Sequence, residues 1–235
     1  MISNHAIYHS IQTDDISLLI DSCPMDRIIN NPVSFSFEVR GYRLPEVSFL
    51  HYVVIYRKPV FVEYFVQNGF HPDFDPSGCK ISALCLAVLL EYCEIVEILI
   101  IYGADINKCD VFGVSPLSTA VSLKNERIIK ILLRSNQNIL DLISPLRAAI
   151  STNQPNIVSL LLQAGADPSA KCLNGTDAFS IVQSSQGEIM EILKSSKHKE
   201  DEKALVMPET LFDLIESMTI PTEDDNSKFY IPILK

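Results

Sequence analysis

Histidine and cysteine are the residues with which this chain would do chemistry, as zinc ligands or as a thiol–imidazole pair. Its six cysteines are Cys23, Cys79, Cys85, Cys93, Cys109 and Cys172. No two form a C-x-x-C pair, and no histidine completes a zinc spacing. His5, His9, His71 and His198 form no catalytic constellation, and no Gly-rich phosphate loop, nucleophile elbow or spaced carboxylate pair stands out. The reading is therefore no enzyme, no catalytic residue, no metal and no cofactor. The thiols read as small reduced hydrophobes, with Cys85 at a core position.

The elements around these residues carry the stronger signal. Four segments share one pattern: Ser48-Phe49-Leu50-His51-Tyr52-Val53-Val54, Ser82-Ala83-Leu84-Cys85-Leu86-Ala87-Val88, Ser115-Pro116-Leu117-Ser118-Thr119-Ala120-Val121 and Ser144-Pro145-Leu146-Arg147-Ala148-Ala149-Ile150. Their serines stand at 48, 82, 115 and 144, giving steps of 34, 33 and 29 residues. Each is followed by an apolar run at helical spacing: Ile95, Val96, Ile98, Leu99 and Ile100 in one copy, Ile128, Ile129, Ile131, Leu132 and Leu133 in the next, Ile157, Val158, Leu160, Leu161 and Leu162 in a third. Gly103-Ala104-Asp105 and Gly165-Ala166-Asp167 follow two of these runs, where glycine suits a left-handed helix end. Asn136 takes the glycine position in between.

A period near 33 with a Ser/Thr-Pro-Leu-His-x-Ala core resembles the ankyrin repeat. The resemblance covers roughly residues 3–196 and implies an all-α solenoid of about six helix-turn-helix units, with degenerate caps. Ala6 to Ile11 with Ile16 to Ile20 reads as the first, and Thr176 to Val182 with Ile189, Met190, Ile192 and Leu193 as the last. Two departures are informative. The short step into Ser144 predicts that the loop near Asn138 to Ile143 lacks a full finger. Upstream, Val33, Phe35, Phe37 and Val39 alternate with polar residues, which predicts an inserted β-hairpin near residues 31–42, either projecting or folded over the N-terminal cap.

The resemblance also implies where a partner binds: the concave face of the first helices and the hairpin tips. On matching positions this selects Ile55, Tyr56, Leu89, Leu90 and Leu123, with Val111, Phe112 and Val114 at one tip, as an exposed apolar strip for a protein partner. The alternative is that the hairpin or the tail covers it. His51 matches the family's structural histidine. Asn107 resembles a loop asparagine that an oxygenase hydroxylates, while the residues themselves read as a turn-stabilising amide.

The formal net charge of −10 argues against nucleic acid and an anionic membrane surface. No secretion signal is read at the N-terminus and no stretch is apolar enough to span a bilayer, so a cytoplasmic or also nuclear protein is expected. Composition shifts at Lys197, predicting a charged linker (197–207) and an acidic tail (208–235) with Leu211, Leu214, Ile215 and Met218 on one helical face. The tail is similar, loosely, to the end of a SOCS box and to an F-box opening. That likeness implies the alternative function, a substrate adaptor that recruits ubiquitin-ligase subunits. Its Pro-, acid- and Ser-rich composition also resembles the tails of inhibitory ankyrin proteins that hold transcription factors.

Overall fold

Helices of seven to nine residues, too short to persist alone in water, alternate along the chain in pairs. In the computed structural model, residues 4–18, 37–40, 42–44, 47–74, 81–135, 138–171, 175–183 and 186–196 are described. Helix α1 (Asn4–Thr13) precedes a two-stranded sheet, β1 (Phe37–Val39) and β2 (Tyr42–Leu44). Four full pairs follow: α2 (Phe49–Ile55) with α3 (Pro59–Gln67), α4 (Ala83–Leu89) with α5 (Cys93–Ile101), α6 (Pro116–Ser122) with α7 (Glu126–Arg134), and α8 (Ile143–Ser151) with α9 (Pro155–Gln163). A short α10 (Ala178–Ile181) and a helix α11 over residues 187–196 complete the series. Contacts divide the chain into Met1–Leu193 and Lys194–Lys235. The predicted linker and tail lie outside the described residues, as do Cys23, Cys79, Cys172 and Asn136.

Each first helix stacks on the next, α2 on α4, α4 on α6, α6 on α8 and α8 on α10, while second helices pack α3 on α5 and α5 on α7. The stacking buries one continuous apolar core, including Leu84, Leu86, Ile95, Leu99, Ile129, Leu146 and Leu161. Burial of such side chains at ~25 cal/mol per Å² is the main favourable term, and no single pair achieves it.

Most helix ends are closed by one device, α7 and α10 excepted, where Ser135 and Val182 are extended. After α3, α5 and α9 the chain turns through Gly69, Gly103 and Gly165, all left-handed, with φ of 91°, 90° and 96°. The following residue's N–H returns to the carbonyl five residues back, as in Phe70 to Phe65 and Ala104 to Leu99. The first helices end likewise, but with Arg57, Glu91, Lys124 and Asn153 in the left-handed position, at φ of 53°, 64°, 57° and 52°. A side chain there costs roughly 1 kcal/mol. That cost is offset by bonds such as Lys58 N–H to Val53 O and Asn125 N–H to Ala120 O.

Ser48, Ser82 and Ser115 cap α2, α4 and α6, accepting from the N–H groups of His51, Cys85 and Ser118. The fifth repeat departs from this. Ser144 lies inside α8, and Asp141 Oδ1 takes the N–H groups of Ile143 and Ser144 at 2.9 and 3.0 Å. In the sixth, Asp177 rather than Thr176 caps α10, and Thr176 Oγ1 accepts from Arg147 instead.

The inserted hairpin is present, with Phe37 opposite Leu44 and Val39 opposite Tyr42. Among the described residues its two strands are Phe37–Val39 and Tyr42–Leu44; residues 31–36 of the expected hairpin, Val33 and Phe35 among them, fall outside the described residues. It does not project. Phe37 packs edge-on against Tyr52 and Tyr56, with ring centroids 5.9 and 6.3 Å apart. Aromatic rings in water lower their free energy by covering one another, and the first helix of repeat two offers two.

His51 is buried and joins two repeats: Nδ1 lies 2.6 Å from Ser48 Oγ, and Nε2 lies 2.8 Å from the Ile81 carbonyl, to which it donates. Replacing it with Ala removes both bonds and leaves that carbonyl unpaired. The expected cost is about 2–4 kcal/mol, seen as a lower denaturant midpoint at unchanged helix content. Unchanged stability would show that His51 is not a joint.

Candidate functional site

The predicted strip separates into two groups at opposite ends of the first helices. Ile55, Tyr56, Leu89, Leu90 and Leu123 stand at C-terminal ends; Val111, Phe112 and Val114 stand in the loop before α6. At 1.5 Å per residue, Ser115 and Leu123 are about 12 Å apart, so Phe112 and Leu123 do not belong to one contact. Leu89 is corrected outright: it is 8% exposed and belongs to the core. Period alone places 89 and 90 together, but the last turn of α4 directs only Leu90 partly outward.

The turn edge is heavily used by the fold itself. Residues opening the second helices reach back one repeat at every junction. Lys58 pairs with Asp14 at 3.0 Å, Arg57 lies 5.4 Å over the Tyr92 ring, Asn125 donates to Glu91 at 3.1 Å, and Gln186 donates to the Ile150 carbonyl at 2.7 Å. Gln154, buried, turns toward the Val121 carbonyl. The hairpin adds a clasp: Arg40 donates to Glu91 at 2.8 Å. Arg40, helped by Asn125, holds the Glu91 carboxyl below the usual carboxylate range. Tyr56, 45% exposed, is flanked by Phe37 and by Tyr52, whose phenol burial pushes up to about 12. Of the strip residues the hairpin meets Tyr56, through Phe37, and at repeat three it reaches Glu91.

The finger edge is different. Asp110 Oδ1 accepts from the N–H groups of Phe112 and Val114, both at 2.9 Å, closing a turn that lifts Val111 and Phe112 to 50% and 75% exposure. One repeat on, Leu140 is 77% exposed. Between them lies a cleft of about 380 Å³, lined by Ile106, Asn107, Cys109, Gly113, Val114, Ser115, Leu117, Ser118, Leu132, Ile139, Leu140, Asp141 and Ser144. Its origin is the short step. Gly103 stands twelve residues before Ser115, whereas Asn136 stands only eight before Ser144, so the fifth repeat lacks the finger that would fill this space. Second helices α7 and α9 also lack the close pairing seen between α5 and α7, although first helices α6 and α8 remain stacked. Asn107 bridges the gap, donating to the Asn138 carbonyl at 2.8 Å and accepting from the Leu140 N–H at 3.0 Å. It is a turn-stabilising amide, as its residue type suggests. Leu140 was missed from the sequence because no family position corresponds to it; the short step was the available signal.

Cys85 packs as the core thiol expected, its pKa raised by burial to about 12, while Cys109 is exposed. Among the described residues no group of three or more His, Cys, Asp or Glu is placed to hold a metal ion. No helix among them is long and apolar enough to cross a membrane.

Such paired helices, with capping serines and glycine-closed ends, define an ankyrin-repeat solenoid. Residues 84–172 match the family model for ankyrin repeats in three copies. Among solved structures, the chain is similar to the ankyrin repeat domain of Bcl-3, a member of the IκB protein family. That likeness has 22% identity and a TM-score of 0.62, covering 81% of this chain and 85% of that one. No curated protein matches the chain in sequence. The chain thus has the fold of ankyrin-repeat proteins.

Two outcomes check the turn edge. Leu89→Ala should cost about 2–4 kcal/mol, while Leu90→Ala should cost well under half as much; equal costs would put both on one surface. An NMR titration should find the Glu91 carboxyl ionising below the usual ~4.3 and moving back toward it in Arg40→Ala. Because the folded-state pKa is depressed, the clasp is fully present above that ordinary value. It is lost as pH falls through the depressed one. A Glu91 value indifferent to Arg40 would show that the clasp does not form.

Proposed function

We propose that this chain is a non-enzymatic protein-binding module that takes its partner on the finger edge of repeats four and five. The observation that carries this is two large apolar side chains at an apolar cleft: Leu140, 77% exposed on its lining, and Phe112, 75% exposed at the tip next to the lining residues Gly113 and Val114. Exposed apolar surface gathered round a concavity favours burial against another molecule. Aromatic anchors seated in a partner commonly supply most of the binding energy. The turn edge, where Ile55, Tyr56, Leu90 and Leu123 lie, is engaged in joining repeats and holding the hairpin, so it serves the scaffold more than the partner.

The test compares binding by the full chain with that of Phe112→Asp and Leu140→Asp. Neither side chain is buried, so both variants should keep the parent's melting temperature. Each should lose tenfold or more in affinity for the partner the parent retains from native lysate, since truncated anchors typically cost over 1–2 kcal/mol. Tyr56→Asp should lose less. Retention by both finger variants with loss by Tyr56→Asp would move the site to the turn edge.

A further inference from the structure

The cleft left by the missing finger has a charge as well as a shape, and the charge selects its occupant. The inference rests on the finger-edge reading and deepens it. Along the described finger loops the carboxylates are Asp73, Asp105, Asp110, Asp141 and Asp167, against Lys108 and Lys171. Lys108 is turned toward the preceding finger, where its ammonium donates to the Asp73 carbonyl at 2.7 Å. Asp141 is exposed and lines the cleft itself. An apolar floor with one exposed carboxylate on its lining, in a loop series richer in Asp than in Lys, fits a chain segment with a large apolar side chain next to lysine or arginine.

Three occupants are open in principle, and charge separates them. The chain's own tail beyond Pro208 carries six acids and two bases, so most of it would bring like charge to Asp141; its two bases stand beside apolar residues, as Lys228-Phe229 and Leu234-Lys235, and form one arm of the test. A second copy brings a body of the same sign, the whole chain being −10. A basic segment of another protein gains from Asp141 without bringing those acids, through faster encounter and an exposed ion pair. We infer that the cleft between repeats four and five binds an extended, basic peptide segment of another protein by inserting one large apolar side chain beside Asp141. The cleft's volume of about 380 Å³ is less than that of one turn of a helix about 10 Å across, so an extended segment that inserts a single side chain fits it better.

Cys109 makes the cleft observable in the intact protein, because it is exposed on the lining while Cys85 is buried and held as thiol. The full chain would be panned against a random peptide display library, and selected peptides synthesised. The expected consensus is a Phe, Leu or Ile with Lys or Arg adjacent. Such peptides should slow alkylation of Cys109 at saturation and bind more weakly as salt rises. Asp141→Asn keeps an oxygen to cap α8 but removes the charge. It should weaken binding about two- to fivefold, by the loss of one exposed pair, with melting unchanged. Neutral or acidic consensus peptides, unprotected Cys109, or affinity indifferent to Asp141→Asn would overturn the inference. A synthetic peptide of residues 204–218, or one of residues 226–235 with Lys228-Phe229 and Leu234-Lys235, protecting Cys109 would overturn it in favour of the tail. If a lysate partner depends on Phe112 and Leu140 while selected peptides fail these criteria, the proposed function stands and this assignment of its partner falls.

Discussion

Everything in this molecule hangs on the turn between the two helices of each repeat. Helices of seven and nine residues do not close a core by themselves, so the second must fold back on the first within three or four residues. It does so through a left-handed residue, Arg57, Glu91, Lys124 or Asn153. That geometry places the next residue at the start of the second helix, facing the previous repeat. From there Lys58, Asn125 and Gln154 reach back to Asp14, Glu91 and the Val121 carbonyl. A local backbone requirement thus becomes the bond between repeats. The strain at each non-glycine turn is met by paired backbone hydrogen bonds and by the neighbour's polar group.

The same constraint divides labour between the edges. At the turn edge polar groups are committed to one another, and the hairpin joins them through Arg40 and Phe37. The finger edge lacks this demand, because loops of unequal length are compatible with the same helix stacking. Shortening one loop by four residues leaves α6 stacked on α8 while opening the cleft between them and parting α7 from α9. The bonds between repeats and the proposed recognition site thus lie at different ends of the same helices, which allows one to vary without the other.

The repeat architecture was legible because period, capping serines and helix-ending glycines are independent signals that agree. Ser48, Ser82 and Ser115 cap as their positions predict. Ser144 does not, since the shortened loop places Asp141 closer to the free N–H groups of α8, a choice between two good caps that one-dimensional spacing does not decide. The hairpin was visible in the alternation around Phe37, but its docking was not, because the contact with Tyr52 and Tyr56 depends on where a chain of unmatched length returns. Leu89 was misplaced for a related reason: both it and Leu90 are apolar, and only the helix phase at the last turn of α4 tells core from surface. Leu140 lay outside any family position, and only the step of 29 residues pointed to it.

The proposed division of labour, recognition at the finger edge and cohesion at the turn edge, is tested most directly by amide hydrogen exchange of the full chain, alone and bound to a captured partner. New protection is expected across residues 106–118 and 138–144, with the amides of 53–58 and 88–92 unchanged. New protection confined to 53–58 and 88–92, with the finger loops exchanging as before, would contradict it.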